Sequence, residues 1–380
     1  MIFPYFFPDN EYIILFEKNK HLHDPKIFYT NCYDQMTVVT IIFFLRVIRL
    51  GGDEKYGKKW GNRMSLPQLK IGHMEPKVPI LQGGMGVGIS LSGLASAVAN
   101  AGGIGIISGT GISTEELRFH IRKAKKLIND SGYIGVNVLF AMNDFAEKMK
   151  AALEEKVDFI ISGAGISRDM YTWGKEYDVP VLSIVSSAKL ARLSERLGAA
   201  AVVVEGHEAG GHLGTDRPLF EILPEVVAAV NIPVIAAGGI LTGLDVAKAI
   251  RLGASGVQMG TRFVASEECD APLAFKEKYV HANEEDTILV KTTVGLQGRA
   301  IKNKFTDLIS GSGKLKIEKC HDCLKNCSYR FCTLDSLLKS VGGDVENGLI
   351  FAGSRVAEIK NIMPVRDIIK SITSEYRAAR

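Results

Sequence analysis

The amino-acid sequence predicts a (β/α)8 barrel, a closed ring of eight parallel strands that alternate with helices. Between Pro79 and Thr261, eight short apolar and often β-branched runs each lead into glycine or serine. The segments between the runs have apolar residues three and four positions apart and end on glycine, as in Ser187–Gly198 and Leu241–Gly253. The count of eight favours the barrel over an open, doubly wound sheet, which is the alternative fold.

The elements can be assigned in order from Met64 onward. The predicted strands are Pro79–Gly84, Gly103–Ser108, Tyr133–Val138, Val157–Ser162, Val179–Val185, Ala201–Gly206, Ile232–Gly239 and Gly256–Thr261. We assign residues 64–310 to the barrel and residues 311–380 to a C-terminal extension with a cysteine cluster and helices. In that extension Thr333–Val341 and Val365–Arg377 have helical patterns.

The first 63 residues differ in pattern from the rest of the chain. They are rich in aromatic residues and show no clear period, so we expect a disordered extension or an upstream translation outside the native fold. The longest apolar run there, Thr37–Leu45, is about half of the roughly 20 residues that a membrane-spanning helix needs. The pattern of a signal peptide is also absent. We therefore expect no membrane partner and a cytoplasmic protein.

The composition is that of a globular α/β protein. Of the 380 residues, 46% are hydrophobic, which is enough for a sizeable core. The net charge is only +4, from 46 basic and 42 acidic residues, and no long basic run is present. This argues against nucleic acid as the main partner. A small-molecule substrate is the expected partner, with a homodimer as a candidate assembly.

In a barrel, the residues directly after each strand share one rim, where such folds carry their chemistry. The loop after Ala201–Gly206 is the most informative, because it places Glu205, His207 and His212 around the Gly210–Gly211 pair. Adjacent glycines favour an open loop over a helix and let a ligand approach the backbone closely. The alternative is a tight turn that happens to contain two histidines.

The last two predicted strands end in glycine-containing turns, Gly238–Gly239 and Gly260–Thr261. Loops at these positions of a barrel commonly offer backbone N–H groups to a phosphate. Each turn alone is a weak signal, because buried turns often need glycine anyway. Together, at the last two strand ends of eight, they predict a phosphate site.

Five motifs stand at the predicted strand ends: QGGM at Gln82–Met85, GVNV at Gly135–Val138, EAGGH at Glu208–His212, AAGGI at Ala236–Ile240 and QMGTRF at Gln258–Phe263. They resemble those of the nitronate monooxygenase (formerly 2-nitropropane dioxygenase) family and of the related flavin-dependent enoyl-acyl-carrier-protein reductases. The likeness extends from about Leu66 to Asn303. It implies a TIM barrel that holds FMN at its C-terminal rim.

The resemblance also implies roles for individual residues. His212 matches the family's catalytic histidine, and imidazole suits proton transfer next to a nitro group, or to an enolate, because it titrates near neutral pH. The implied flavin contacts are Gly83, Gly84, Met85, Asn137, Glu205 and Gly210, and the implied phosphate contacts are Gly239, Gln258, Met259, Gly260 and Thr261. For His207 the simpler interpretation is a solvent-facing loop residue.

Three functions are consistent with these patterns. The first is an FMN-dependent nitronate monooxygenase that oxidises alkyl nitronates with molecular oxygen. However, Glu205 in place of glutamine and RAIKN at Arg299–Asn303 look like the enoyl reductases, and Ile184–Val185 stands where some nitronate monooxygenases carry a lysine. An NAD(P)H-dependent enoyl-acyl-carrier-protein reductase is therefore the second function. The third is a non-enzymatic barrel that binds a phosphorylated ligand.

The sequence also contains a cluster of cysteines in its C-terminal extension. Cys320, Cys323, Cys327 and Cys332 form a C-x2-C-x3-C-x4-C pattern. Four thiolates at such spacing can surround a zinc ion or an iron–sulfur cluster. The spacing matches neither the ferredoxin patterns nor the zinc ribbon, so reduced structural thiols are an equal alternative. Cys32 and Cys269 stand alone and are most simply buried or unpaired thiols.

Overall fold

The computed structural model describes residues 2–5, 12–17, 26–31, 66–129, 132–311 and 314–379. The chain divides into two compact units, Met1–Asn62 and Arg63–Arg380. In the first unit, β1 (Ile2–Tyr5), β2 (Tyr12–Glu17) and β3 (Lys26–Asn31) form an antiparallel sheet in that order. The sequence patterns had assigned no element to this part of the chain. The rest of it, including Cys32, lies outside the described residues, and its place outside the native fold stays a prediction.

Eight parallel strands close a barrel in the second unit, which confirms the predicted fold class. They are β4 (Ile80–Gln82), β5 (Ile104–Ser108), β6 (Tyr133–Leu139), β7 (Phe159–Gly163), β8 (Val181–Val185), β9 (Ala201–Glu205), β11 (Val234–Ala237) and β12 (Gly256–Met259). The short strand β10 (Gly211–His212) lies between β9 and β11 in the chain but outside the ring. Each strand of the ring pairs with the next, and β12 pairs with β4 to close it. Every barrel strand lies at the position that the sequence predicted, with small differences at its ends.

Helices follow the strands as the amphipathic segments predicted. They are α1 (Ser92–Asn100), α2 (Thr114–Leu127), α3 (Phe145–Glu154), α4 (Arg168–Tyr177), α5 (Ala188–Leu197), α6 (Leu219–Val227), α7 (Gly243–Arg251) and α8 (Thr261–Val264). The N-terminal ends of α5 and α7 are set by capping, because Ser187 and Thr242 accept backbone N–H bonds there. Gly198 ends α5 with a φ of 100°, a conformation that favours glycine.

The chain beyond the barrel strands packs in the same compact unit. Its elements are α9 (Leu273–Val280), β13 (Thr287–Lys291), β14 (Gln297–Ile301), α10 (Lys304–Ser310), α11 (Thr333–Val341) and α12 (Val365–Ala378). The last two are the helices that the sequence predicted, and α12 extends one residue further. None of the helices in the part of the chain that the structure describes is long and apolar enough to cross a membrane.

The barrel interior is apolar at one end and polar at the other. In β9, Ala201 and Val203 belong to the interior cluster, whereas Val202 and Val204 pack with the outer helices. This period of two directs the next residue in the inward row, Glu205, into the barrel at its C-terminal end. At the opposite end, the segment before β4 joins the interior cluster with Leu69, Ile71 and Met74, which are at most 1% exposed. A ligand can therefore enter only at the rim where the strands end.

Candidate active site

A cavity of about 580 Å³ lies at the C-terminal ends of the barrel strands. Sites for small molecules typically measure about 300–1,000 Å³. All twelve residues that the family resemblance implied as catalytic or flavin contacts line this one cavity: Gly83, Gly84, Met85, Asn137, Glu205, Gly210, His212, Gly239, Gln258, Met259, Gly260 and Thr261. The structure thus brings together residues from the ends of five strands, because parallel strands of a barrel end at one rim.

Three polar side chains form the floor of the cavity. Asn137, Glu205 and Gln258 occupy inward positions on β6, β9 and β12, and Glu205 and Gln258 both pair in register with Ala237. Burial without a charged partner raises the pKa of the Glu205 carboxyl to about 7. Gln258 lies beside Gly83, where an added Cβ would stand 3.4 Å from its Nε2 atom. Gln258 and Met259, which the resemblance implied as phosphate contacts, both belong to strand β12 and not to the turn that follows it. The floor can therefore offer both donors and acceptors to a ligand.

His212 is held at the side of the cavity by residues that are distant in sequence. It lies in β10, which pairs with β14 opposite Gly298. Its ring packs against Phe351, with 5.4 Å between the ring centroids. Burial lowers the pKa of the imidazole to about 4, and its Nε2 atom is buried without a hydrogen-bond partner among the described residues. The side chain is therefore neutral at pH 7 and free to accept a proton.

The glycine turns after β11 and β12 form the other end of the cavity, and the C-terminal extension supports them. The Thr261 hydroxyl accepts a hydrogen bond of 2.9 Å from the N–H of Gly353. Arg355 donates to the carbonyl oxygen of Gly239 at 2.5 Å and forms an ion pair with Asp245 at 2.8 Å. The sequence patterns assigned neither Gly353 nor Arg355 a role in the site. Gly353 and Arg355 are therefore site residues that sequence reasoning missed.

Two polar residues of the motifs, Gln82 and Glu208, form hydrogen bonds that hold the barrel elements in place. Gln82 is fully buried and bonds the backbone of Ile106 in both directions, at 3.1 and 3.2 Å, which ties β4 to β5. Glu208 accepts the N–H of Leu219 at 3.0 Å at the start of α6. His207 does not line the cavity, and its side chain is 36% exposed beside Glu208, as the simpler interpretation expected.

The sequence can also be compared with known protein families. The sequence pattern of the nitronate monooxygenase family matches residues 68–155 and 134–375, which is more than half of the chain. The chain belongs to the nitronate monooxygenase family. Like other members it is an oxidoreductase enzyme, and its relatives indicate a flavin-dependent one. A non-enzymatic barrel, the third function that the sequence allowed, is therefore set aside.

Proteins that are similar in sequence or structure to this chain have names that state different activities. The chain is 32% identical over 238 residues to the (3aS,4S,5R,7aS)-5-hydroxy-7a-methyl-1-oxo-octahydro-1H-indene-4-carboxyl-CoA dehydrogenase of Rhodococcus jostii. That match covers 63% of this chain and 66% of the relative, just under two thirds of its length. A probable nitronate monooxygenase of Staphylococcus aureus is 31% identical over 277 residues, covering 61% and 77% of the two chains. The structure of FabK from Thermotoga maritima superimposes with a TM-score of 0.69 and 35% identity, covering 79% and 93%.

The residues that line the large cavity fit FMN. His212 Nε2 and Gln258 Oε1 are buried polar atoms without hydrogen-bond partners among the described residues. Leaving such an atom unsatisfied costs about 1–3 kcal/mol, so a ligand with N–H and C=O groups along its edge suits them. At Gly84, an added Cβ would lie 2.5 Å from the Cβ of Asn137, so only glycine keeps this wall flat. A planar ring system and a phosphate at the glycine turns match these features.

The remaining wall of the cavity is apolar. Helix α11 contributes Leu334 and Leu337, and Met142 follows β6. Ile184 and Val185 line the cavity at the point where the sequence lacks the lysine of some family members. The wall therefore excludes water from one side of the site, which strengthens electrostatic interactions inside it.

The four clustered cysteines line a second, smaller cavity of about 30 Å³. Thr293, Cys323, Leu324, Thr333 and Leu334 line both cavities, so the two are neighbours. Burial raises the pKa of the Cys323 thiol to about 11. In the described part of the chain, no three His, Cys, Asp or Glu side chains are arranged around a metal position, so the geometry gives no support for an ion already held there. Cys269 is buried, as expected.

Proposed function

We propose that this chain is an FMN-dependent nitronate monooxygenase that oxidises alkyl nitronates with molecular oxygen. The observation that supports it is the neutral imidazole of His212, whose Nε2 atom has no hydrogen-bond partner among the described residues, in the same cavity as the glycine turns of Gly239 and Gly260. FMN supplies the electron transfer when bound, and the protein supplies position, charge and exclusion of water. The Gly239 and Gly260 turns would hold its phosphate, and Asn137 and Glu205 would face its ring.

In this proposal His212 is the acid–base group that converts a neutral nitroalkane into the nitronate, which is then oxidised. Because its pKa is lowered to about 4, the imidazole is neutral at pH 7, and one of its ring nitrogens has a lone pair that can accept the proton from the carbon next to a nitro group. The carbon's electron pair moves to the nitro group, and the products are a nitronate anion and an imidazolium cation. The two charges then attract each other across an apolar site, which offsets the cost of charging a buried histidine.

A second candidate is the NAD(P)H-dependent reduction of an enoyl thioester. The apolar wall formed by Ile184, Val185, Leu334 and Leu337 favours it, as does the relative from Rhodococcus jostii, whose name specifies a carboxyl-CoA substrate. That reaction needs His212 to donate a proton to an enolate. At pH 7 a histidine with a lowered pKa holds very little of the imidazolium form that donates a proton most readily. We therefore rank this function second.

The test is an anaerobic stopped-flow experiment on the flavin-loaded protein. The enzyme is mixed with an alkyl nitronate or with NAD(P)H, and the flavin absorbance is followed before oxygen is admitted. We expect the nitronate to bleach the flavin rapidly and oxygen to restore it. Bleaching by NAD(P)H with no response to nitronates would overturn the proposal, and turnover of enoyl thioesters would then be assayed.

A further inference from the structure

We propose that Cys320, Cys323, Cys327 and Cys332 together bind one thiophilic metal centre, either zinc or an iron–sulfur cluster. All four line the same cavity of about 30 Å³ beside the active site. All four are free thiols, so no disulfide connects them. Four thiolates are a complete ligand set for both kinds of centre.

The segment that carries the cysteines has little regular structure and little apolar burial of its own. From Lys314 to Cys332 the described chain forms no helix and only a single bridge, at Leu324, and Phe331 is its one buried side chain. A stretch of this length without regular structure is uncommon inside a compact unit. Where apolar burial is this small, a metal commonly supplies the missing cohesion. A metal centre would therefore explain how the segment keeps a defined course.

The backbone is folded around two of the sulfurs. The N–H groups of Tyr329 and Asp335 donate to Cys327 Sγ and Cys332 Sγ, each at 3.4 Å. Asp322 and Tyr329 have positive φ angles of 45° and 52°, and each lies two residues after a cysteine of the cluster. Such angles are uncommon for residues other than glycine and make tight turns. N–H donors to sulfur stabilise its ligand form and orient it toward a metal.

A further polar atom at the same cavity has no hydrogen bond in the described part of the protein, although Asp335 Oδ1 lies 3.9 Å from it. His321 lines the cavity, and its Nε2 atom is buried without a hydrogen bond among the described residues. The described side chains do not yet converge as ligands of a single ion. Zinc binding would therefore rotate the thiols inward, whereas a cluster of several irons accepts thiolates that stand further apart. In both cases the thiols lose their protons on binding.

The cysteine segment is bonded to the wall of the active site. The N–H of Asn143 donates to the carbonyl oxygen of Cys323 at 3.0 Å, and the N–H of Lys325 donates to that of Ala141 at 2.9 Å. The segment thus holds the loop after β6, whose Met142 lines the large cavity. A metal centre at the cysteines would fix this wall, so its role is to support the substrate side of the flavin site.

The test measures the metal content of the full-length protein purified without oxygen. Zinc, iron and acid-labile sulfide are measured per chain, together with flavin absorbance. We expect about one zinc, or about four irons with sulfide, per chain. In the Cys320→Ser/Cys327→Ser double variant the content should fall at least about tenfold, with bound flavin retained. Cys269→Ser, which changes a cysteine outside the cluster, is the control and should keep the metal.

Two results would overturn the proposal. One is a wild-type protein that holds less than about a tenth of an equivalent of metal, even after incubation with Zn²⁺ or with Fe²⁺ and sulfide. The other is a double variant that keeps its metal. If the double variant does not fold, the wild-type measurement still decides the matter. The ratio of iron to zinc and the presence of sulfide distinguish the two kinds of centre. None of these readouts depends on activity, so the result is independent of the proposed reaction.

Discussion

Replacing His212 with glutamine tests the proposed acid–base role most directly. The variant keeps a polar side chain beside Phe351 but removes the lone pair that accepts a proton at pH 7. A neutral nitroalkane must lose a proton from carbon before it can be oxidised, whereas a preformed nitronate has already lost it. We therefore expect His212→Gln to impair turnover of nitroalkanes far more than turnover of the matching nitronates.

The magnitude follows from the lowered pKa. With a pKa of about 4, the base form of His212 outnumbers the acid form about a thousandfold at pH 7, so nearly every molecule is active. General-base help is worth roughly 10²–10⁴ in rate, or about 3–5 kcal/mol. The ratio of nitroalkane to nitronate activity should fall by that factor. In the wild type, the ratio of kcat/KM for the nitroalkane to kcat/KM for the nitronate should fall as the pH drops through about 4, because protonation removes the base. Glu205 ionises near pH 7 in the same cavity and should affect both substrates alike, so this ratio should not change there.

The assay is oxygen uptake with matched pairs of nitroalkane and nitronate, normalised to bound flavin. His207→Gln is the matched control, because His207 lies five residues earlier outside the cavity lining and should leave both rates unchanged. Equal losses on the two substrates would refute the reasoning, since they would show that His212 acts after proton removal. An unchanged nitroalkane rate would remove His212 from the chemistry altogether.

Three further predictions concern the cofactor and the fold. Gly260→Ala adds a methyl group whose neighbours within 4 Å, among the described residues, are Met85 Sδ at 3.4 Å and Met85 Cγ at 3.8 Å. We therefore expect an unchanged Tm but FMN binding weakened by at least about tenfold, measured by fluorescence titration. An unchanged Kd would contradict the phosphate site. The pKa of Glu205 is about 7 in the folded protein and 4.5 in the unfolded chain, so the unfolded chain releases this proton at lower pH. The contribution of Glu205 to the free energy of unfolding is therefore fully present below pH 4.5 and is lost as the pH rises through 7. In urea denaturation of the flavin-free protein, Glu205→Gln should therefore gain up to about 3 kcal/mol relative to the wild type between pH 4 and 8, and a difference that is constant with pH would contradict this. The Asp270 carboxylate accepts hydrogen bonds of 2.9–3.1 Å from three backbone N–H groups at the start of α1. Asp270→Ala should therefore lower the free energy of unfolding by about 1–3 kcal/mol. A loss below about 0.5 kcal/mol would show that water replaces the carboxylate.

Much of the barrel and its rim could be predicted from local patterns. Apolar runs of four to six residues between amphipathic segments are a local signal, and their number indicated the fold. The site followed from the same rule, because parallel strands of a barrel all end at one rim, whichever loops they lead into. For this reason the positions of Asn137, Glu205 and Gly260 could be predicted without knowing any contact between them. Helix ends such as Ser187 and Gly198 were readable because capping involves only neighbouring residues.

The tertiary structure decided what depends on contacts distant in sequence. The pairing of His212 with β14 and its packing on Phe351 lower its pKa, and no local pattern contains that burial. The same holds for Arg355, which reaches Gly239 from a loop more than a hundred residues away in the chain. The sequence by itself determined the barrel and the rim that carries the site. Folding decided the charge states and the C-terminal walls of that site, because desolvation and packing depend on which distant residues come together.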